Sequence, residues 1–353
     1  MTDPGARLLA SSRAAWAEVE RVAPLVRRDL TIAGVRVRLE VAGDALAAVV
    51  LPALELHPEE AHMAPEVRLR AFDSAATGVA LPWLPTRGEQ RLVEWRTADG
   101  LDALWSWQPE PGVSLLADPG PEGVGHLAAV ADAGALPWWE QGAPLRQLLL
   151  WALRDHDRHF VHAAAVGTYA GAVLLAGPSG TGKSSTAVAS VLAGLGYLGD
   201  DYCVLTMHDG PEVHALYGTA KLLPDQVPLV DRGGALGDDV LVHPTEPGSK
   251  VILLPVRWAP DQVVTRAPVT AVLVPVQGGP PGVEPISPAE ALRHLAPTSL
   301  FQLAGPGTRD FRAIAALVRS VPCHRLHLDP DRAANPALLA RVLHDAAAPV
   351  HPR

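Results

Sequence analysis

The sequence predicts an α/β protein in two parts, a small strand-rich α+β domain over residues 1–140 and a larger α/β domain over residues 141–353. Three observations carry that expectation. At 353 residues, 48% apolar and 19% charged, the chain has material for two cores. Up to about residue 140, short strand-like pieces are separated by Pro and Gly. Beyond the segment PWWEQGAP at 137–144, strand-like and helix-like stretches alternate, as they do where helices cover the faces of a sheet.

In chain order, residues 1–28 read as a helical lead-in rich in Ala and Arg. Val35, Val37, Leu39 and Val41 alternate with Arg36, Arg38 and Glu40, the period of a half-buried strand. Residues 45–57 fit a helix interrupted by Pro52. VRLRAF, RLVEW and VSLLAD follow as strands. Seven of the nine tryptophans lie between Trp16 and Trp139, and we read them as core. In the second part, 145–153 and 183–195 read as helices, and VHAAAV (161–166) and AVLLA (172–176) as strands. YCVLT (202–206), VILLPV (251–256), AVLVPV (271–276) and CHRLHL (323–328) are further strands, with helices at 288–295, 309–319 and 335–345. Residues 231–249, rich in Gly and Asp, read as a long mobile loop.

Composition excludes several classes. A net charge of −9 and a pI near 5.8 argue against a nucleic-acid partner. Cys203 and Cys323 are too few for a disulfide framework or a structural zinc site, which fits a reduced, cytoplasmic setting. The start MTDPGARLLASSRAAW has an early acid and no sustained apolar core, so no secretory signal is expected. The longest apolar stretch, 161–176, is broken by His162, Gly167, Thr168, Tyr169 and Gly171, so no membrane partner is expected. Of 29 basic residues only Lys183, Lys221 and Lys250 are lysine. Where arginine is the default cation, a lysine marks a place that wants a compact point charge rather than a planar fork.

The stretch AVLLAGPSGTGKSS holds the pattern Gly177-x4-Gly182-Lys183-Ser184, the P-loop spacing, between an expected strand and an expected helix. Glycines let backbone N–H groups turn toward an anion, and the helix N-terminus adds a partial positive charge. The pattern assigns Gly177, Pro178, Ser179, Gly180, Thr181, Gly182, Lys183, Ser184 and Ser185 to nucleotide binding, with Lys183 on the β- and γ-phosphates and Ser184 on Mg²⁺.

Asp200 stands 16 residues after Ser184, with Asp201 beside it, just before YCVLT. Two adjacent carboxylates call for a cation, and a Mg²⁺-nucleotide would supply one. The pair would then divide the work, one taking a proton from an acceptor hydroxyl and the other holding metal. Strand direction decides whether they reach the loop, and a solvated Asp-Asp turn is the alternative. If 161–166 and 172–176 pair around GTYAG, Val166 faces Ala172 and His162 faces Ala176, beside the mouth of the loop. His156 and His159 have no comparable position.

HAAAV, GPSGTGKSS and GYLGDDY together resemble the HPr kinase/phosphorylase family, whose catalytic domain also resembles ATP-dependent carboxykinases. The resemblance implies a P-loop kinase fold of that type, ATP as donor and Mg²⁺ as cofactor. It makes Asp200 the catalytic base and acid, Asp201 a helper near the metal, and His162 a partner of the acidic site. No counterpart of the family's second signature, LEIRGLG, follows residue 217. LYGTAKLLPD (216–225), SKVILLPV (249–256), ISPAEALRHLAP and RSVPCHRLHL instead resemble a divergent serine-kinase branch found beside natural-product clusters, lasso peptides among them. Lys221 and Lys250 fall in those motifs, where they would contact phosphate or acceptor. The expected function is therefore phosphoryl transfer to a hydroxyl, a serine of a peptide or protein. A small-molecule kinase with the same site and a nucleotide-dependent binding switch are the alternatives. Relatives assemble, so a homo-oligomer is compatible with the resemblance.

Overall fold

The computed structural model describes residues 4–59, 64–83, 91–96, 102–110, 112–118, 123–236, 240–242, 248–302 and 307–347. The chain forms two compact units, Met1–Pro52 with His57–Asp157, and Ala53–Leu56 with Arg158–Arg353.

The first unit opens with helix α1 (Pro4–Val22), then strands β1 (Leu25–Ile32) and β2 (Val35–Ala42), helix α2 (Asp44–Ala53) and strand β3 (Val67–Asp73). β4 (Arg91–Arg96), β5 (Asp102–Gln108), β6 (Val113–Asp118), β7 (Gly125–Val130) and helix α3 (Arg146–Arg154) follow. The strands form one sheet in the order β1-β2-β3-β7-β6-β5-β4, parallel at β2–β3 and β3–β7. The alternation at 35–41 is realised in β2, where Val35, Val37, Leu39 and Val41 are buried. Trp16 and Trp105 pack with Leu8, Val19, Leu116 and Leu127 in the core. The expected helical lead-in ends early, because Leu25–Ile32 pairs with β2 over its whole length. The helix expected to open the second domain belongs here instead. Leu148, Leu149, Leu150, Trp151 and Leu153 of α3 are buried, and the helix packs on β3, β6 and β7. The division between units therefore falls after Asp157 rather than after residue 140.

The second unit contains β8 (His159–Val161), β9 (Ala163–Thr168), β10 (Gly171–Ala176), helix α4 (Lys183–Leu192), β11 (Gly196–Gly199), β12 (Cys203–Thr206) and β13 (Glu212–Ala215). β14 (Ala220–Leu222), β15 (Val240–Val242), β16 (Val251–Leu253), β17 (Arg266–Val276) and β18 (Gly282–Pro285) come next. Helices α5 (Pro288–Leu300) and α6 (Thr308–Ser320), strand β19 (Cys323–His327) and helix α7 (Asn335–Ala347) complete it. The main sheet runs β11-β9-β10-β17-β13-β12-β8, with β19 on β17 and β18 on β19. Its central strands are continuous apolar runs because both faces are covered. Ala163, Ala165, Ala172, Leu174 and Val272 meet Ala291, Leu295, Ile314 and Leu317 of α5 and α6 on one face. Ala164, Val166, Val173, Leu175 and Leu273 meet Ala187 of α4 and Leu338 and Leu339 of α7 on the other.

Three expectations in this region are corrected. VHAAAV is not one strand: β8 pairs with β12 and β9 pairs with β10, and the chain breaks from one to the other at His162. The β9–β10 hairpin is shifted by one residue from the expected register, with Val166 opposite Val173 and Ala163 opposite Ala176. The polar turn residues Thr168 and Gly171 pair with each other, which shortens the loop. VILLPV is strand only to Leu253, since Pro255 opens the short helix Pro255–Trp258. Within 231–249, β15 pairs with β16, while 237–239 and 243–247 lie outside the described residues. Among the described residues no helix is long and apolar enough to cross a membrane.

Candidate active site

β10 and β17 are parallel, β17 and β19 are parallel, and β9 is antiparallel to both β10 and β11. β11 therefore runs in the direction of β10, and the residues after β10, β11, β17 and β19 gather at one end of the sheet. Open α/β sheets bind ligands at the carboxyl ends of their strands. This direction answers the question the sequence leaves open, because it brings Asp200 and Asp201, which follow β11, to the loop that follows β10.

That loop, residues 177–182, joins β10 to α4. Gly177, Gly180 and Gly182 have φ of 146°, 85° and 99°. Gly182 needs its missing side chain twice over: its φ is left-handed, and a Cβ would stand 2.6 Å from Leu328 Cδ1. Gly182 is also the N-cap of α4 and no side chain caps that end, so the turn is closed by backbone alone. The helix stops at Leu192 in a Schellman turn, with Leu195 N donating to Ser190 O (2.9 Å) and Gly194 N to Val191 O (2.9 Å). Lys183 is 6% exposed and its Nζ donates to Gly177 O (2.7 Å) and Pro178 O (3.0 Å), which holds the ammonium over the loop. Burial pushes the Lys183 pKa down, the charges of Asp200 and Asp201 oppose that, and Lys250 adds to it. Thr181 Oγ1 donates to Pro178 O (3.0 Å) and Ser185 Oγ to Gly182 O (3.1 Å), while Pro178, Ser179 and Gly180 are exposed.

The two aspartates have different surroundings. Asp201 Oδ1 pairs with His162 Nε2 (2.6 Å), and Asp201 Oδ2 accepts from Lys221 Nζ (2.5 Å). Against the desolvation of burial, Lys221 and His162 hold the Asp201 carboxyl well below the usual carboxylate range. Asp200 is 1% exposed, and its Oδ2 accepts from Lys221 N (2.7 Å). Its Oδ1 is buried with no hydrogen-bond partner. Burial, and then the neighbouring charge of Asp201, raise the Asp200 pKa; Lys221, the Ser184 hydroxyl and Lys250 act the other way. Burial also pushes the nearby Tyr197 hydroxyl and Cys203 thiol up, so neither is a ready nucleophile.

All the residues singled out in the sequence thus come to one end of the sheet. His162 sits at the break between β8 and β9, one position beyond the last hairpin pair, with its backbone N–H on Ser299 Oγ (3.0 Å) and its Nδ1 buried without a partner. Lys221 comes from β14 of the small sheet β14-β16-β15 and Lys250 directly precedes β16, acting through its charge on Asp200 and Lys183. Three further residues escaped the sequence reading. The Tyr202 ring lies 5.4 Å from that of His162, and its hydroxyl donates to Gln302 Oε1 (3.0 Å). Gln277 Nε2 donates to Gly180 O (3.0 Å), and its place directly after a parallel strand was the available signal. Ser299, 137 residues from His162, had none.

No family model and no curated protein matches the chain. Among solved structures it is similar to the Hpr(Ser) kinase/phosphatase from Coxiella burnetii, with 15% identity and a TM-score of 0.30 over 53% of this chain and 89% of that one.

Proposed function

We propose that the second unit is an ATP- and Mg²⁺-dependent phosphotransferase of the HPr-kinase-like kind. Its acceptor is a hydroxyl, a serine of a peptide or protein such as a peptide natural-product precursor. The observation that carries this reading is Asp200: a buried carboxylate with one unsatisfied oxygen, standing at the end of β11 beside Lys183, Ser184 and the glycine loop.

The residues fit a magnesium-nucleotide. Asp200 Oδ1 is a buried acceptor with no donor, and the Ser184 hydroxyl acts on the same carboxylate. Among the described residues no group of three His, Cys, Asp or Glu side chains forms a metal cluster. Mg²⁺ keeps waters and phosphate oxygens and takes one or two protein ligands. Ser184 would hold the ion, with the Asp201 carboxylate near it, and Asp200 is left to take a proton. When bound, the magnesium-nucleotide supplies the phosphoryl group and a cation to spread its charge. The uncapped N-terminus of α4 and the loop amides orient the phosphates. Lys183 stabilises charge on the transferring group. Asp200 takes the proton of the acceptor hydroxyl, and its raised pKa brings it toward the pH at which a base works best.

The test is a mass comparison of two cultures that co-express the neighbouring genes with either the wild-type chain or Asp200→Asn. A peptide that gains phosphate only with wild type supports the reading and names the acceptor. A phosphorylated metabolite moves the acceptor class to small molecules. No difference, with soluble protein that binds ATP, overturns transfer in favour of a binding switch.

A further inference from the structure

Arg332 follows β19 at the carboxyl end of the main sheet, on the short 3₁₀ turn Arg332–Ala334 that leads into α7. It is half-buried, and its Nη1 lies 3.8 Å from the point where a Cβ on Gly182 would sit. The guanidinium therefore stands against the last glycine of the loop, at the N-terminus of α4 that no side chain caps. The turn that carries it is held by Asn335, which is 0% exposed. Asn335 Oδ1 accepts from Asp329 N (2.8 Å), and its Nδ2 donates to Asp329 O (3.2 Å) and to Arg332 O (3.5 Å). The two acids nearest in the chain are turned to other donors. Asp329 Oδ1 accepts from Asp331 N (2.8 Å), and Asp331 Oδ1 accepts from Arg232 Nη2 (2.7 Å) and Ala333 N (3.1 Å). Among the described residues no acceptor pairs with the Arg332 guanidinium. Other shielded arginines do have an acid: Arg70 has Glu40 and Arg146 has Glu140.

We propose that Arg332 is a nucleotide-binding residue whose guanidinium receives the α-phosphate of the magnesium-nucleotide. The proposal rests on the reading of the second unit as a nucleotide-dependent phosphotransferase. A guanidinium taken partly out of water loses hydration that an anion can replace, and its planar fork matches two phosphate oxygens. The two cations at the loop stand at its opposite ends. Lys183 Nζ is tied to Gly177 O and Pro178 O, where the loop leaves β10, and the lysine of such a loop serves the β- and γ-phosphates. Arg332 stands at Gly182, where the loop enters α4, and that end leaves the α-phosphate to it. The α-phosphate stays on the nucleotide through the transfer, so this contact is the same before and after the reaction. It strengthens the binding of donor and spent nucleotide alike and does not lower the barrier between them.

The experiment is titration calorimetry of ATP and of ADP, each with Mg²⁺, on the full chain. The wild type is compared with Arg332→Met, Arg332→Gln and Arg332→Lys. Arg332→Met should bind both nucleotides about 10- to 100-fold more weakly, by the same factor for each, the loss expected for hydrogen bonds to a charged group. Arg332→Lys should recover part of that loss, because it keeps the charge and gives up the fork. Without nucleotide the melting temperature of Arg332→Met should stay within about 2 °C of wild type, since the free chain has no pairing there to lose. Arg332→Gln keeps a polar tip without charge and carries the same expectation where the methionine variant does not fold. Unchanged affinities for both nucleotides overturn the proposal. Weaker ATP with unchanged ADP places the contact on the γ-phosphate and overturns it as well. A wild type that binds neither nucleotide overturns the function above and this role together. A wild type that binds both through Arg332 but never transfers phosphate overturns transfer alone and leaves this role standing.

Discussion

Glu40 in the first unit and Asp200 in the second are both buried acids, 6% and 1% exposed, yet their oxygens fare differently. Glu40 gives Oε1 to Arg27 Nε and Oε2 to Arg70 Nε, each at 3.0 Å. Asp118 gives both oxygens to Arg13 (3.0 and 3.2 Å) and accepts from Val124 N (3.2 Å) as well. Asp73 caps a short helix through Oδ1 and takes Ala133 N through Oδ2. Asp201 follows the same rule with His162 and Lys221. Asp200, one residue away, is half satisfied, and among the described residues its Oδ1 is the one carboxylate oxygen buried without a partner. An unpaired buried acid costs stability, and folds remove such costs wherever nothing opposes it. The first unit uses buried acids to hold itself together, whereas the second leaves one carboxylate oxygen, Asp200 Oδ1, without a partner.

The contrast can be broken first at Asp200. Asp200→Asn should lower phosphoryl transfer by about 10²- to 10⁴-fold, the range of general-base catalysis, while nucleotide affinity and melting temperature hold. Glu40→Gln should do the opposite, leaving transfer unchanged and lowering the melting temperature. A loss of folding in Asp200→Asn would return that residue to the structural class. Lys183→Ala should reduce transfer by about 10²- to 10³-fold and also weaken nucleotide binding, read by calorimetry. Binding that survives intact would detach Lys183 from the phosphates.

Stability then sharpens the comparison. Asp201→Asn and Glu40→Gln should each cost about 3 kcal/mol in urea unfolding, the penalty for breaking one side of a buried pair. Asp201 adds a pH signature. Its folded pKa lies well below its unfolded value, so its contribution is fully present above the unfolded value and is lost as pH falls through the folded one. The gap between wild type and Asp201→Asn should stay constant down to about pH 4 and narrow below it. A gap that stays constant at still lower pH would remove the charge from the explanation. The smallest effect belongs to Gly182→Ala, about 1–3 kcal/mol, from a Cβ set against Leu328 and a left-handed φ. A neutral result would show that the end of β19 yields easily.

Much of this was legible in the sequence where local rules dominate. The alternation at 35–41, the apolar runs of β10 and β17 and the glycine spacing before Lys183 all point to what forms. Long-range geometry was not legible. β11 escaped because two of its four residues are glycine, and its direction, which carries Asp200 to the loop, comes from pairing with β9. His162 was placed near the loop through a register that is one residue off, and it lies there because the strand breaks at that residue. The pairing of Lys221 with Asp201 joins residues 20 apart through two different sheets, a relation no spacing encodes. The α3 helix was visible by its period, but not which sheet its buried face would choose.

The four residues Ala53–Leu56 belong to the second unit, although the chain on both sides of them belongs to the first. Ala53 O accepts from Gly218 N (2.8 Å), and Glu55 pairs with Arg257 (2.7 Å). The backbone therefore passes between the units three times, and the boundary is not a hinge of one linker. Neither unit can be exchanged between proteins as a cassette by a single cut. A gene fusion that begins at residue 158 leaves the Gly218 amide without its acceptor, Ala53 O.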